Sequence, residues 1–177
     1  MLLAELELVI SEVNRQWPKS LSESVKEDET TKAHWRLARK RDLLSDSVKV
    51  FSAMSVEAFL NFYGVLRLGS RQFDRKLELL GPVAKLKKLF ELCDNITLTD
   101  NDAIVQVLDR IAKLRNRQVH PVAVKVSGYL PAEERGGDKI PEVAKEAVAD
   151  MILFFQEFGK CQPNVAHHLP KPYTTDA

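Results

Sequence analysis

Glycine is scarce in this chain, with 7 in 177 residues, and cysteine scarcer, with 2. Nowhere do the glycines form a Gly-rich phosphate loop. With Leu, Ala, Glu, Lys and Arg dominating, helix is the default expectation. Cys93 and Cys161 lack CxxC spacing and read as free thiols of a reducing cytosol. A net charge of +1 excludes a wholesale nucleic-acid binder but leaves local basic faces open. No apolar run approaches a membrane span; the longest in the last helix is "MILFF". The opening "MLLAELELVI" carries glutamates where a signal peptide needs a basic start. These absences predict a soluble, cytoplasmic protein with no membrane partner.

What is present is helical periodicity. Leu2, Leu6, Val9, Ile10 and Val13 predict a first helix that ends at Trp17-Pro18. A polar, acidic connection follows. The longest pattern runs from about Lys32 to Leu68, with a stripe of Leu37, Leu44, Val48, Phe51, Ser55, Ala58, Phe62 and Val65. A short helix is expected over Asp74 to Leu80, ending at Gly81, and Pro82 is placed to begin the next. Thr99 and Asp102 form a near capping box ahead of the stripe Ile104, Leu108, Ile111, Arg115 and Val119. "VKVSGYLPAEERGGDKIP" is the least regular part and reads as loop. Pro141 opens a last helix with Val143, Ala147, Met151, Phe154, Phe155 and Phe158 inward. The expectation is an all-α bundle of about six helices around two long ones, one domain over 1–160 with a flexible tail over 161–177.

One stretch breaks this pattern. In "KLRNRQVHP" Arg115 falls within roughly 60° of Ile104 on an ideal helix, so it faces inward or an interface and needs a partner. His120 diverges from Arg115 by about 140° while the helix continues. Pro121 pushes His120 out of the α region, so the helix ends there and the imidazole is able to turn back.

Arg115, Asn116 and His120 at the end of the penultimate helix resemble the Arg-x4-6-His motif of the HEPN superfamily. "SAMSVEAFLNF" is similar to that family's other helix, in which an acidic residue is followed by Asn; here these are Glu57 and Asn61. The likeness covers roughly Lys32 to Phe158 in the order and spacing of elements. It implies a HEPN-like helical bundle and a metal-independent endoribonuclease acting as a homodimer, without a cofactor, in defence or a toxin-antitoxin setting. His120 would take the 2′-proton, since its ordinary pKa lies near neutrality. Arg115 would contact the charge gathering on the phosphorane oxygens. Asn116 would orient the phosphate or the imidazole, and Glu57 would hold the guanidinium. A pair inside the bundle would cost about 3 kcal/mol to break by Glu57→Ala. A nucleotidyltransferase-type antitoxin is a further implied partner, although the tyrosine such partners modify, two residues after the histidine, is Val122 here.

Two blander readings stand beside this. Arg115 and Glu57 make a structural ion pair, with His120 interacting with a helix C-terminus; or the Arg-His region binds a nucleotide, RNA or protein partner without cutting. Arg110, Lys113 and Arg117 share the motif helix and have the best claim to RNA phosphate. Lys32, Arg36, Arg39, Lys40 and Arg41 with Trp35 read as a solvated helix face. Lys85, Lys87 and Lys88 read as surface charges, and His167-His168 as too poor a donor set for a metal.

Overall fold

The computed structural model describes residues 2–16, 29–119 and 140–169. Prolines and glycines set the boundaries of most elements. The helices are α1 (Leu2–Gln16), α2 (Glu29–Leu68), α3 (Ser70–Lys76), α4 (Pro82–Asp94), α5 (Ala103–Val119), α6 (Ile140–Cys161) and a 3-10 helix, Pro163–His168. There is no strand among the described residues. None of these helices is long and apolar enough to cross a membrane. The all-α expectation therefore holds. The irregular stretch between Val119 and Ile140 and the last eight residues lie outside the described residues.

The chain, expected as one domain, divides into two compact units, Met1–Lys49 with Ala123–Glu146 and Val50–Val122 with Ala147–Ala177. In the first, Leu6, Val9 and Val13 of α1 are buried, as are Ala38 and Val48 of α2 and Ala144 of α6. Lys40 pairs with Glu5 at 2.9 Å and Lys145 with Glu7 at 3.9 Å. In the second, Leu60, Leu86, Phe90, Ile104, Leu108, Phe154 and Phe158 build a continuous core. Phe158 meets Phe59, Tyr63 and Phe90 edge to face at centroid distances of 4.9, 5.0 and 5.5 Å. That offset geometry is the favoured one for aromatic rings.

Three local expectations change. The short helix begins at Ser70, four residues earlier than expected, because Gly69 takes φ 77 and starts α3 directly. The tail shortens: Pro163–His168 form the 3-10 helix and Leu169 is buried with the core, so packing reaches Leu169. The third change concerns α2. Phe51, Ser55, Ala58 and Phe62, placed on its buried stripe by periodicity, are exposed, Phe62 by 64%. The buried face runs instead through Ser52, Ala53, Val56, Leu60, Tyr63 and Gly64. Close approach explains this choice. A Cβ on Gly64 would lie 2.6 Å from the Phe73 ring and 3.0 Å from Leu89, so glycine is what admits α3 and α4.

The ends of α4 and α5 fix the second unit's connections. Gly81 is the N-cap of α4 and Pro82 its first residue, as the sequence predicts. Asn95 ends α4 in the left-handed region at φ 55, and Ile96 N–H reaches the Phe90 carbonyl at 3.1 Å. Ahead of α5, the Asp102 carboxylate accepts from the Thr99 N–H and hydroxyl.

Candidate functional site

α5 leaves the core gradually. Ile104 and Leu108 are fully enclosed and Ile111 is nearly so, whereas Arg115, one turn later, is 33% exposed. The side chain thus sits at the edge of the bundle and not inside it. Its Nε lies 3.6 Å from Oε1 of Glu57, itself 30% exposed. That distance is an ion pair but too long for a hydrogen bond. The expected pairing of α5 with α2 is present, and the expected deep burial is not. Arg115 also donates to the Asn116 side-chain oxygen at 3.1 Å.

Asn61, one turn beyond Glu57 on α2, accepts from Lys85 Nζ at 2.6 Å. Burial holds the Lys85 ammonium below the ordinary lysine value, against the opposing pull of Glu57 and Glu78. Lys85 also lies 5.4 Å from the Phe73 ring centroid. By sequence alone Lys85 reads as a surface charge. Its spacing on α4 gave no sign of this role, because its partner Asn61 is 24 residues away. The cluster is therefore Glu57 and Asn61 from α2, Lys85 from α4, and Arg115 and Asn116 from α5. Arg115 and Lys85 share the carboxylate of Glu57, and Glu78 acts on Lys85 as well.

The proposed phosphate-binding cations do not join this cluster. Arg110, Lys113 and Arg117 share a face of α5 that lies about 140° or more from Arg115 on an ideal helix. Arg110 is held by Asp150 of α6, with Nη2 at 2.6 Å and Nε at 3.1 Å from its oxygens. Lys113 pairs with Asp109 at 2.6 Å, both well exposed. A cleft of about 380 Å³ opens beside Arg110, lined by Val83, Asp100, Val105, Gln106 and Asp109. Its carboxylates make it a poor place for phosphate, and Arg115 is not part of it.

His120 lies outside the described residues, as do Pro121 and Val122; α5 is helical to Val119, the residue before it. Among the described residues no group of three His, Cys, Asp or Glu is placed to hold a metal ion. Both cysteines are free thiols, and burial pushes each above the ordinary thiol value. Comparison of the chain with protein-family models, with curated proteins and with solved structures finds no match.

Proposed function

We propose that this chain is a HEPN-like helical protein that cleaves RNA as a homodimer, without a metal. The observation that carries the reading is the 3.6 Å approach of Arg115 to Glu57 at the end of α5. It joins the two sequence elements on which the resemblance rests. The role of each residue follows from its chemistry. His120 removes the 2′-proton as the 2′-oxygen attacks phosphorus and the bond to the 5′-oxygen breaks, that oxygen taking its proton from water or the imidazolium; a histidine serves this purpose near neutral pH. Arg115, held only loosely by Glu57, turns its guanidinium to the charge on the phosphorane oxygens. Lys85, whose position Asn61 fixes, adds a positive charge near Glu57. Asn116 orients Arg115 through their hydrogen bond. A toxin-antitoxin or defence role, a nucleotidyltransferase-type partner and a cytoplasmic setting, which suits two free thiols, belong to the same proposal.

Incubation of a mixed RNA pool with the purified chain in EDTA tests it. The expected products carry cyclic-phosphate ends, and His120→Ala abolishes them. Intact RNA, or equal cleavage by His120→Ala, overturns the proposal. The second reading is a module that binds a nucleotide, RNA or protein without cutting. It is favoured by the occupation of Arg110 and Lys113 by Asp150 and Asp109. Retention of labelled RNA that emerges uncut would select it.

A further inference from the structure

Between Phe51 and Leu66 the outward face of α2 carries no charged residue. The exposed positions lying within about 60° of Phe51 on an ideal helix are Phe51, Met54, Ser55, Ala58, Phe62 and Leu66. The four large ones are exposed by 54% (Phe51), 50% (Met54), 64% (Phe62) and 66% (Leu66). A surface helix ordinarily turns its charged residues outward. A contiguous apolar face of this extent marks a docking surface.

The order of the residues selects the occupant. Phe51, Ser55, Ala58 and Phe62 read large, small, small, large, and they read the same in both directions along the helix. We infer that this face packs against the same face of a second copy, antiparallel, about a two-fold axis between Ser55 and Ala58. Phe51 of each copy then meets Phe62 of the other, and Ser55 meets Ala58. The small residues at the axis let the backbones approach to the 8–10 Å of packed helices, roughly, while the phenylalanines close both ends. At about 200 Å² per large side chain, the four expose roughly 450 Å² in each copy. Two copies therefore bury at most about 900 Å² through these side chains before Ser55 and Ala58 are added, against the ~1,000 Å² a specific interface needs.

The arrangement has a consequence for the cluster. Glu57 and Asn61 border this face, at about 120° and 80° from Phe51 on an ideal helix. An antiparallel two-fold keeps like borders on the same side, so the Glu57 edges of both copies flank one groove. This consequence rests on the RNA-cleaving reading; the interface itself rests on the exposed face.

Light scattering of the full chain at micromolar concentration tests the interface. Wild type should give twice 20.1 kDa. Ala58→Arg and Phe62→Glu, both at exposed positions, should give monomers with unchanged helical circular dichroism. Copies carrying Ser55→Cys, mixed with copies carrying Ala58→Cys, should form a disulfide-linked pair in excess of either variant alone. This keeps the test open if a charged variant fails to fold. A monomeric wild type overturns the inference, whether or not another protein covers the face, and so does a dimer whose mass survives both charged substitutions. A monomer that cleaves RNA sinks the interface together with the homodimer, and leaves only the RNA-cleaving chemistry of the functional proposal standing. A dimer that leaves RNA intact does the reverse.

Discussion

Arg110 and Arg115 stand on the same helix, and each faces a carboxylate from another helix. Arg110 meets Asp150 through two nitrogens, at 2.6 and 3.1 Å. Arg115 meets Glu57 through one, at 3.6 Å. The first guanidinium has its fork filled, which is what a structural tie between α5 and α6 requires. The second keeps most of its donors uncommitted among the described residues. Proximity to a carboxylate is common to both, so it does not distinguish a tie from a site. Denticity does.

Activity gives the largest expected contrast. Arg115→Ala should lower RNA cleavage by about 100-fold or more, the scale of a lost charge-stabilising donor. Arg110→Ala should change it by less than about 3-fold once corrected for any loss of folded protein. Gel-based cleavage rates measure both, and equal losses would erase the distinction between the two arginines.

Stability should rank the pairs in the opposite order. A third arginine supplies the upper end: Arg67 reaches Asp94 at 2.7 Å and the Cys93 carbonyl at 3.0 Å, and it donates to the Tyr63 hydroxyl. Asp94 is only 13% exposed, so Asp94→Ala should cost about 2 kcal/mol. Asp150→Ala, at a half-exposed bidentate pair, should cost about 1 kcal/mol. Glu57→Ala should cost about 0.5 kcal/mol, since both partners are roughly a third exposed and no hydrogen bond is lost. Urea denaturation of the three variants gives the ranking, and a Glu57→Ala loss near 3 kcal/mol would restore the buried pair that periodicity predicts.

Alkaline pH provides the finest comparison, because two raised groups load the Arg67 cluster, whereas the Arg115 cluster holds Lys85, whose lowered value acts in the opposite sense. Burial, with Asp94 nearby, raises the Tyr63 hydroxyl above its ordinary value of 10.0. Burial likewise raises the Cys93 thiol above 9.0. A group whose folded value is raised stabilises the fold below its unfolded value, and that contribution is lost as pH climbs through the folded one. Melting temperature should therefore fall from about pH 9 upward, first through the thiol and then through the phenol. Tyr63→Phe should remove the later part of the decline. An unchanged profile in that variant would place the titration elsewhere.

The sequence was informative where a residue type has a local consequence. Gly81 and Pro82 fix the start of α4, and the α5 stripe places Arg115 toward Glu57, whereas Trp17-Pro18, expected to end α1, lies outside the described residues. It misled on α2, where apolar residues occur all round the helix and size, not hydropathy, decides the face. Small residues at 52, 53 and 64 permit close packing, so Phe51 and Phe62 turn outward although they are the more apolar. Lys85 was invisible for a different reason. Its position beside Asn61 and Glu57 depends on how α4 packs against α2, and periodicity within α4 carries no record of that.

Gly64 leaves a mark that an evolutionary survey could read. With the Phe73 ring 2.6 Å from where its Cβ would stand, position 64 admits no other residue while position 73 holds a phenylalanine. Any descendant that replaces the glycine must shrink residue 73 or move α3 outward. The two positions should therefore change together or not at all, a paired signature by which distant relatives of this chain can be recognised when overall similarity has faded.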